Sequence, residues 1–132
     1  MSLALWCVLV AALLPLFATV IAKTSGSRAS GKRFDNAHPR AWQQALTGLP
    51  ARAHGAHLNG FEAFPLFAVA VLVAEIKAAP QGIVNTLALL FILVRVIYIA
   101  LYLIDQDRLR SLAWSIGLVL SIAIFTSPSW AK

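Results

Sequence analysis

Four long apolar segments leave this chain of 132 residues few folds to adopt. They cover about residues 2–22, 56–76, 83–104 and 111–127, and each is close to the roughly 20 residues that an α-helix needs to cross a bilayer. The composition agrees, because 60% of the residues are hydrophobic, 12% are charged and the mean hydropathy is +0.79. We therefore predict an all-α fold: an integral membrane four-helix bundle that forms one domain over residues 1–132.

A cleaved signal peptide is the alternative interpretation of the first apolar segment. The segment is long for a signal peptide, no positive charge precedes it, and V-I-A-K at its end is a poor cleavage site. We expect a retained first span, kinked or loosened at Pro15. After it, T-S-G-S-R-A-S-G (residues 24–31) is expected to be flexible, and a short helix over A-W-Q-Q-A-L-T should stop at Gly48 and Pro50.

The basic residues predict an orientation in the membrane. Eight of the eleven lysines and arginines lie in the first and third connections, which share one side of a four-span bundle, whereas the other side holds Lys77 and Lys132. The positive-inside rule then places both of these connections in the cytoplasm and both termini outside. The net charge of +6 needs no nucleic acid to explain it, since the chain has no basic helix or aromatic platform.

Polar side chains interrupt the second apolar segment along one helix face. Glu62 lies inside this segment, and Asn59 precedes it by about one turn. At about 100° per residue, Arg52, Asn59, Glu62 and Leu66 fall on one stripe. A carboxylate at this depth is costly in lipid and usually faces a bundle interior or a water-filled cavity, so the stripe predicts a functional site.

The third apolar segment carries a second polar stripe. Arg95, Tyr98 and Tyr102 follow one another at i, i+3 and i+7, and the second and third spans should be antiparallel neighbours. In one interpretation, Glu62 and Arg95 pair and hold the bundle together. In another, both stripes line a cytoplasmic pocket for a small zwitterionic anion. A third is a small transporter subunit that uses the Glu62–Arg95 pair as a relay.

The motif N-x-x-E-x-F-P-L-F in the second span resembles the family of membrane-associated proteins in eicosanoid and glutathione metabolism (MAPEG). The resemblance extends from R-x-x-N at Arg33, which precedes Pro39, through H-L-N-G-F-E at His57 and R-x-x-Y-x-x-x-Y at Arg95. It ends with Arg110 at the entrance to the fourth span. In this order and at these depths the motifs are specific, and the chain is similar to bacterial members.

The resemblance implies a homotrimer of four-helix subunits in the bacterial inner membrane, with a site that faces the cytoplasm. It implies glutathione as a co-substrate, bound between neighbouring subunits, and a lipophilic electrophile that arrives from the bilayer. The expected function is that of a glutathione transferase or peroxidase. The expected partners are a second copy of the chain, membrane lipid and a lipophilic small molecule, with no nucleic acid. No metal site is expected, because the histidines lack further ligands at metal-site spacing.

The resemblance also assigns roles to residues of this chain. The expected glutathione ligands are Arg33, Arg52, His57, Asn59, Glu62, Arg95, Tyr98 and Tyr102. Among them, Glu62 would hold the α-amino group. Arg110 is the best match to the family arginine that stabilises the thiolate, and Arg108 is the second choice. A free thiol has a pKa of about 8.5, and a guanidinium beside the sulfur lowers it.

One departure from the family pattern favours a different function. Gly55 stands where many active members carry an arginine, which removes one contact to an anion. At least one branch of the family is a non-catalytic lipid-binding protein, so the fold does not establish chemistry. The alternative is therefore a non-catalytic MAPEG-like membrane protein that binds lipid or a partner in the groove between subunits.

Overall fold

The computed structural model describes residues 1–130, so the prediction for Lys132 lies outside the described residues. Its helices are, in chain order, α1 (Leu3–Ser30), α2 (Pro39–Gln44), α3 (Gly48–Ile76), α4 (Gln81–Leu103), α5 (Asp107–Thr126) and a 3₁₀ turn (Ser127–Trp130). No strand occurs within residues 1–130. Helices α1, α3, α4 and α5 are long and apolar enough to cross a membrane, which confirms the predicted all-α fold with four membrane helices.

The polar stretch after the first apolar segment is helical, so the prediction of a flexible segment at residues 24–31 is wrong. Helix α1 continues to Ser30 and ends at Gly31, whose φ of 66° is the left-handed conformation typical of a helix C-terminus. The hydroxyls in these turns bond back to the helix, as Ser25 Oγ does to Ile21 O at 2.5 Å. This satisfies the small polar side chains without breaking the helix.

The predicted short helix is present as α2, and it packs against the end of α1. Gly26 leaves room for this contact, because a Cβ there would lie 2.7 Å from both Trp42 and Leu46. Trp42 also meets the ring of Phe34 edge-on at 5.1 Å, and Lys23 Nζ lies 4.0 Å from the centre of that ring. The first connection is thus fastened to α1.

Helix α3 begins at Gly48, well before residue 56, where the sequence predicts its start. Pro50 occupies the first turn, where its missing N–H has no helical partner to lose. Gly48, with a φ of 62°, provides the turn into the helix. The expectation that these two residues stop a helix is therefore wrong: they start one, and Arg52 and Gly55 are helical as a result.

The connections at one end of the bundle meet around Arg52. Its Nε donates to Leu103 O at 3.1 Å, and its Nη1 lies 3.6 Å from Asp105 Oδ2. The start of α3 therefore lies beside the end of α4, as the predicted topology requires. Helix α5 begins at Asp107, four residues before the predicted start of the fourth span at residue 111.

Small residues bring α1 and α3 close together. Gly60 packs directly on Pro15, since a Cβ there would lie 2.5 Å from Pro15 Cγ. Close approach through small residues is typical of helix pairs in membranes. Next to this contact, the rings of Phe67 and Phe91 stack at 3.9 Å and join α3 to α4. Because α1 covers one side of α3, the polar stripe of α3 lies on the side of α4 and α5.

Candidate functional site

The centre of the polar stripes is a chain of three side chains. Arg95 is only 4% exposed, and its Nη2 donates to Asn59 Oδ1 at 3.0 Å. Asn59 Nδ2 in turn donates to Glu62 Oε2 at 3.2 Å. No ion pair joins Glu62 to Arg95 in the described part of the chain. The interpretation in which these two residues pair directly is therefore wrong, because an amide separates the two charges and aligns both.

Glu62 lies on the outside of the single subunit. It is the fifteenth of the 29 residues of α3, counted from Gly48, and its side chain is exposed. An exposed carboxylate at the middle of a membrane helix is costly unless a polar group, water or another protein surface covers it. Asn59 is such a polar group, and the remaining exposed part of the carboxylate is open to water, a ligand or another protein surface.

A cavity of about 150 Å³ opens beside this chain, between α3, α4 and α5. Glu62 and Arg95 give it one polar end, and apolar side chains form most of the wall. The lining consists of Glu62, Ala63, Leu66, Phe91, Arg95, Trp114, Gly117, Leu118 and Ser121. We call this the acid cavity.

A second cavity, of about 430 Å³, lies nearer the start of α5. Its lining is Tyr98, Tyr102, Arg110, Ser111, Trp114 and Ser115, and we call it the arginine cavity. The Arg110 guanidinium lies 4.2 Å from the centre of the Tyr102 ring, and Arg95 lies 4.2 Å from that of Tyr98. The two tyrosine rings meet edge-on at 5.7 Å. Two cation–π pairs thus stand side by side: the Arg95–Tyr98 pair lies within α4, and the Arg110–Tyr102 pair joins α5 to α4.

Trp114 is the wall that both cavities share. No motif in the sequence points to it, because a tryptophan near the end of a span is usually an interfacial residue. Its spacing does indicate its place, since it follows Arg110 by four residues and so lies on the same helix face. Ser111 and Ser115 also line the arginine cavity, and they belong to none of the predicted polar stripes.

The structure separates the two candidate arginines of α5. Arg110 lines the arginine cavity, whereas Arg108 is exposed and lines neither of the two cavities. Asp107 Oδ1 accepts the backbone N–H of Arg108 at 2.7 Å, so this residue belongs to the first turn of the helix. The geometry therefore favours Arg110 over Arg108 as the candidate site residue of α5.

Two other predicted ligands lie apart from the cavities. Arg33 is exposed in the first connection, and Arg52 is held by the connection between α4 and α5. Near Arg33, Asp35 Oδ1 accepts the backbone N–H groups of Ala37 and His38 at 2.8 and 3.1 Å. These bonds hold the pKa of Asp35 below its ordinary value and fix the turn over residues 35–38, which follows Arg33.

His57 faces α1 rather than the acid cavity. Its Nδ1 lies 2.6 Å from Thr19 Oγ1 and 3.1 Å from Pro15 O. The contact to the carbonyl requires Nδ1 to donate, whereas the shorter contact to the hydroxyl is satisfied by either tautomer. The histidine therefore ties α3 to α1, on the side of α3 away from Asn59.

The comparison with known proteins agrees with this architecture. The MAPEG family model matches residues 3–130, which is nearly the whole chain. No curated protein and no solved structure gives a match. Four membrane helices, the Arg95–Asn59–Glu62 chain and a match of this length lead to one conclusion. The chain belongs to the MAPEG family and is an integral membrane protein of this family of glutathione and eicosanoid metabolism.

Proposed function

We propose that this protein is a membrane-bound, glutathione-dependent transferase or peroxidase that acts on lipophilic electrophiles. The observation that carries the proposal is the pair of neighbouring cavities with Trp114 as their common wall. One of them offers a carboxylate and a guanidinium, and the other offers a second guanidinium on a tyrosine ring. A short peptide with a zwitterionic end and a thiol matches that order of groups.

The acid cavity suits the γ-glutamyl end of glutathione. This end carries an ammonium group, which a carboxylate binds, and a carboxylate, which a guanidinium binds. Asn59 holds Glu62 and Arg95 in fixed directions before any ligand arrives. Such pre-organisation raises affinity, because fewer side chains must be ordered on binding.

The arginine cavity suits the thiol. Because a free thiol has a pKa of about 8.5, little of it is thiolate at neutral pH, and a guanidinium beside the sulfur raises that fraction. In the proposed conjugation, the thiolate attacks an electrophilic carbon, a C–S bond forms, and the leaving group departs with its electron pair. No side chain has to act as a general base, because the thiol gives its proton to solvent water when glutathione binds beside the guanidinium.

The peroxidase reaction uses the same thiolate. Its sulfur attacks the outer oxygen of a lipid hydroperoxide, the O–O bond breaks, and the lipid leaves as an alcohol once it has taken a proton. Glutathione becomes the sulfenic acid. A second glutathione then reduces this product to the disulfide and releases water, so two thiols are oxidised for each peroxide reduced.

We further propose that the working form is a homotrimer in a bacterial inner membrane, with both termini outside. The exposed position of Glu62 midway along α3 supports a site closed by a neighbouring subunit. We also propose that glutathione is bound by Arg33, Arg52 and His57, which a neighbouring subunit would contribute or orient. Chemical cross-linking in native membranes tests the stoichiometry, and a purely monomeric protein would contradict it.

Turnover tests the activity. Purified protein in nanodiscs should conjugate glutathione to a chlorodinitrobenzene and reduce a lipid hydroperoxide. Arg110→Ala should lower both rates by on the order of 100-fold, which is a typical loss when a group that stabilises a developing or bound anion is removed. Arg108→Ala is the matched control and should stay within about twofold of wild type. Equal losses in both variants would reject Arg110 as the residue that stabilises the thiolate.

One observation favours a second candidate function. An apolar cavity of about 270 Å³ lies between α4 and α5, lined by Val94, Ile97, Leu101, Leu109, Leu112, Ala113 and Ile116. It would suit an acyl chain, as in a non-catalytic lipid-binding protein. That function predicts a thermal stability that depends on lipid, together with no turnover of either electrophile. Turnover above the uncatalysed rate would exclude a purely lipid-binding role.

A further inference from the structure

Gly55 brings the backbone of α3 against Tyr102, which lines the arginine cavity. A Cβ at this position would lie 2.4 Å from Tyr102 Oη, 2.8 Å from Cζ and 3.1 Å from Cε1. The phenol end of Tyr102 therefore rests on the backbone of α3, in a notch that exists only because residue 55 has no side chain.

The backbone does not require a glycine here. Gly55 lies inside α3, and the glycines with positive φ are Gly31 and Gly48. A glycine within a helix is less favourable than alanine, so its presence weakens α3 locally. The structure shows one gain that offsets this loss, which is the space for Tyr102.

Tyr102 connects this notch to Arg110. Its ring face carries the Arg110 guanidinium at 4.2 Å, and its edge meets Tyr98. The position of the ring thus sets the position of a charge on a different helix. Any displacement of the phenol from the notch moves the surface on which the guanidinium rests.

We propose that Gly55 is a positioning residue, which seats Tyr102 on α3 and thereby aims Arg110 into the arginine cavity. The link to catalysis rests on the proposed function, whereas the seating itself does not. The proposal also explains the departure from the family pattern. A side chain as long as arginine at position 55 is incompatible with Tyr102 in this place, so Gly55 belongs to a different arrangement of the same site.

The reactivity of Arg110 tests the seating without glutathione. The probe is phenylglyoxal, which modifies accessible arginines, and peptide mass spectrometry gives the rate at each arginine. Gly55→Ala should raise the rate at Arg110 several-fold. Gly82→Ala is the matched control, because a Cβ at Gly82 would meet nothing within 4 Å. An Arg110 rate that is the same in Gly55→Ala as in wild type overturns the proposal.

A second variant protects the test against misfolding. Tyr102→Phe removes the atom closest to the notch but keeps the ring, so on its own it should leave the Arg110 rate near that of wild type. Combined with Gly55→Ala, it should bring back part of the wild-type rate and the assembly of the protein, because the added Cβ then meets only the ring, at 2.8 Å from Cζ, which a smaller shift relieves. Additive effects in this cycle, or misfolding of Gly55→Ala that Tyr102→Phe does not relieve, overturn the seating.

Measurements of turnover test whether the seating of Tyr102 by Gly55 affects catalysis. Gly55→Ala should lower kcat more than it raises KM for glutathione, because the acid cavity is intact while Arg110 is misplaced. A wild-type protein with no turnover would contradict the proposed function and leave the phenylglyoxal result to decide the seating. Turnover that is unchanged while Arg110 becomes more reactive would overturn the link between Gly55 and catalysis.

Discussion

Two polar clusters lie in different parts of this membrane bundle, and they are built in opposite ways. The inner cluster is the Arg95–Asn59–Glu62 chain beside two cavities. The outer cluster joins the start of α1 to the connection between α3 and α4. Both contain a carboxylate and an asparagine. They differ in what surrounds the charge.

The outer cluster closes on itself. Glu75 Oε1 accepts from Ser2 Oγ and from Gln81 Nε2, the latter at 3.1 Å. Asn85 Oδ1 accepts from the same Gln81 nitrogen at 3.1 Å and from the backbone N–H of Ala4 at 3.0 Å. Three helix ends are held together, and none of the cavities described above is lined by these residues.

The difference separates a structural cluster from the proposed binding site. In the outer cluster, the carboxylate has two donors from neighbouring helix ends, so its charge serves to hold the fold. In the inner cluster, a buried guanidinium and an exposed carboxylate share one amide and face open space. Charges beside a cavity with few protein partners indicate a ligand, whereas satisfied networks indicate structure.

The largest expected effect on glutathione affinity comes from replacing the carboxylate of each cluster by an amide. Glu62→Gln should weaken glutathione binding by about 10- to 100-fold, since a hydrogen bond to a charged group is worth roughly 1.5–3 kcal/mol. Glu75→Gln is the matched control and should leave the affinity unchanged. Isothermal titration calorimetry of both variants measures this. Equal losses of affinity would remove the distinction between the clusters.

The asparagines of the two clusters, Asn59 and Asn85, should also differ in their effect on glutathione affinity. Asn59→Ala should weaken glutathione binding by about tenfold, because Glu62 and Arg95 lose the group that aligns them. Its effect should also be non-additive with Glu62→Gln, since both act through one network. Asn85→Ala should not alter the affinity. Additive effects of Asn59→Ala and Glu62→Gln would contradict the alignment.

The free energy of unfolding should depend more on the outer cluster than on the inner one. Glu75→Gln or Asn85→Ala should lower the free energy of unfolding by about 1–2 kcal/mol. Asn85→Ala leaves two donors without their acceptor, and Glu75→Gln replaces hydrogen bonds to a charged oxygen by weaker ones to a neutral oxygen. Thermal unfolding in one detergent, at a fixed protein concentration, measures the change. Glu62→Gln should be neutral or stabilising, since it removes an exposed charge from the middle of a membrane helix. A larger loss of stability in Glu62→Gln than in Glu75→Gln would reverse the assignment.

The smallest effect is expected at the contact between α1 and α2. Gly26→Ala should displace Trp42 and loosen the first connection, because the added Cβ would lie 2.7 Å from two side chains. Hydrogen exchange measured by mass spectrometry should show faster exchange over residues 31–47. Glutathione affinity should change by less than about twofold, because the contact lies away from both cavities. A larger change would show that this connection takes part in binding.

The sequence predicts the membrane helices and both polar stripes because each depends on local periodicity. It does not predict that Asn59 separates Glu62 from Arg95, since that depends on side-chain directions across two helices. The sequence places a helix end at Gly48 and Pro50, where a helix in fact begins, because the same residue types can end one helix or begin the next. At Gly55 the sequence indicates only a lost contact, because the notch depends on the position of Tyr102 on another helix.

The most direct test of the account is the ultraviolet absorbance of the thiolate when glutathione is added to the purified protein at neutral pH. If Glu62 binds glutathione and Arg110 stabilises its thiolate, we expect a saturable thiolate signal in wild type and in Glu75→Gln. The signal should be weakened in Glu62→Gln and lost in Arg110→Ala. No signal from wild type at millimolar glutathione, or an equal signal in Arg110→Ala, would contradict it.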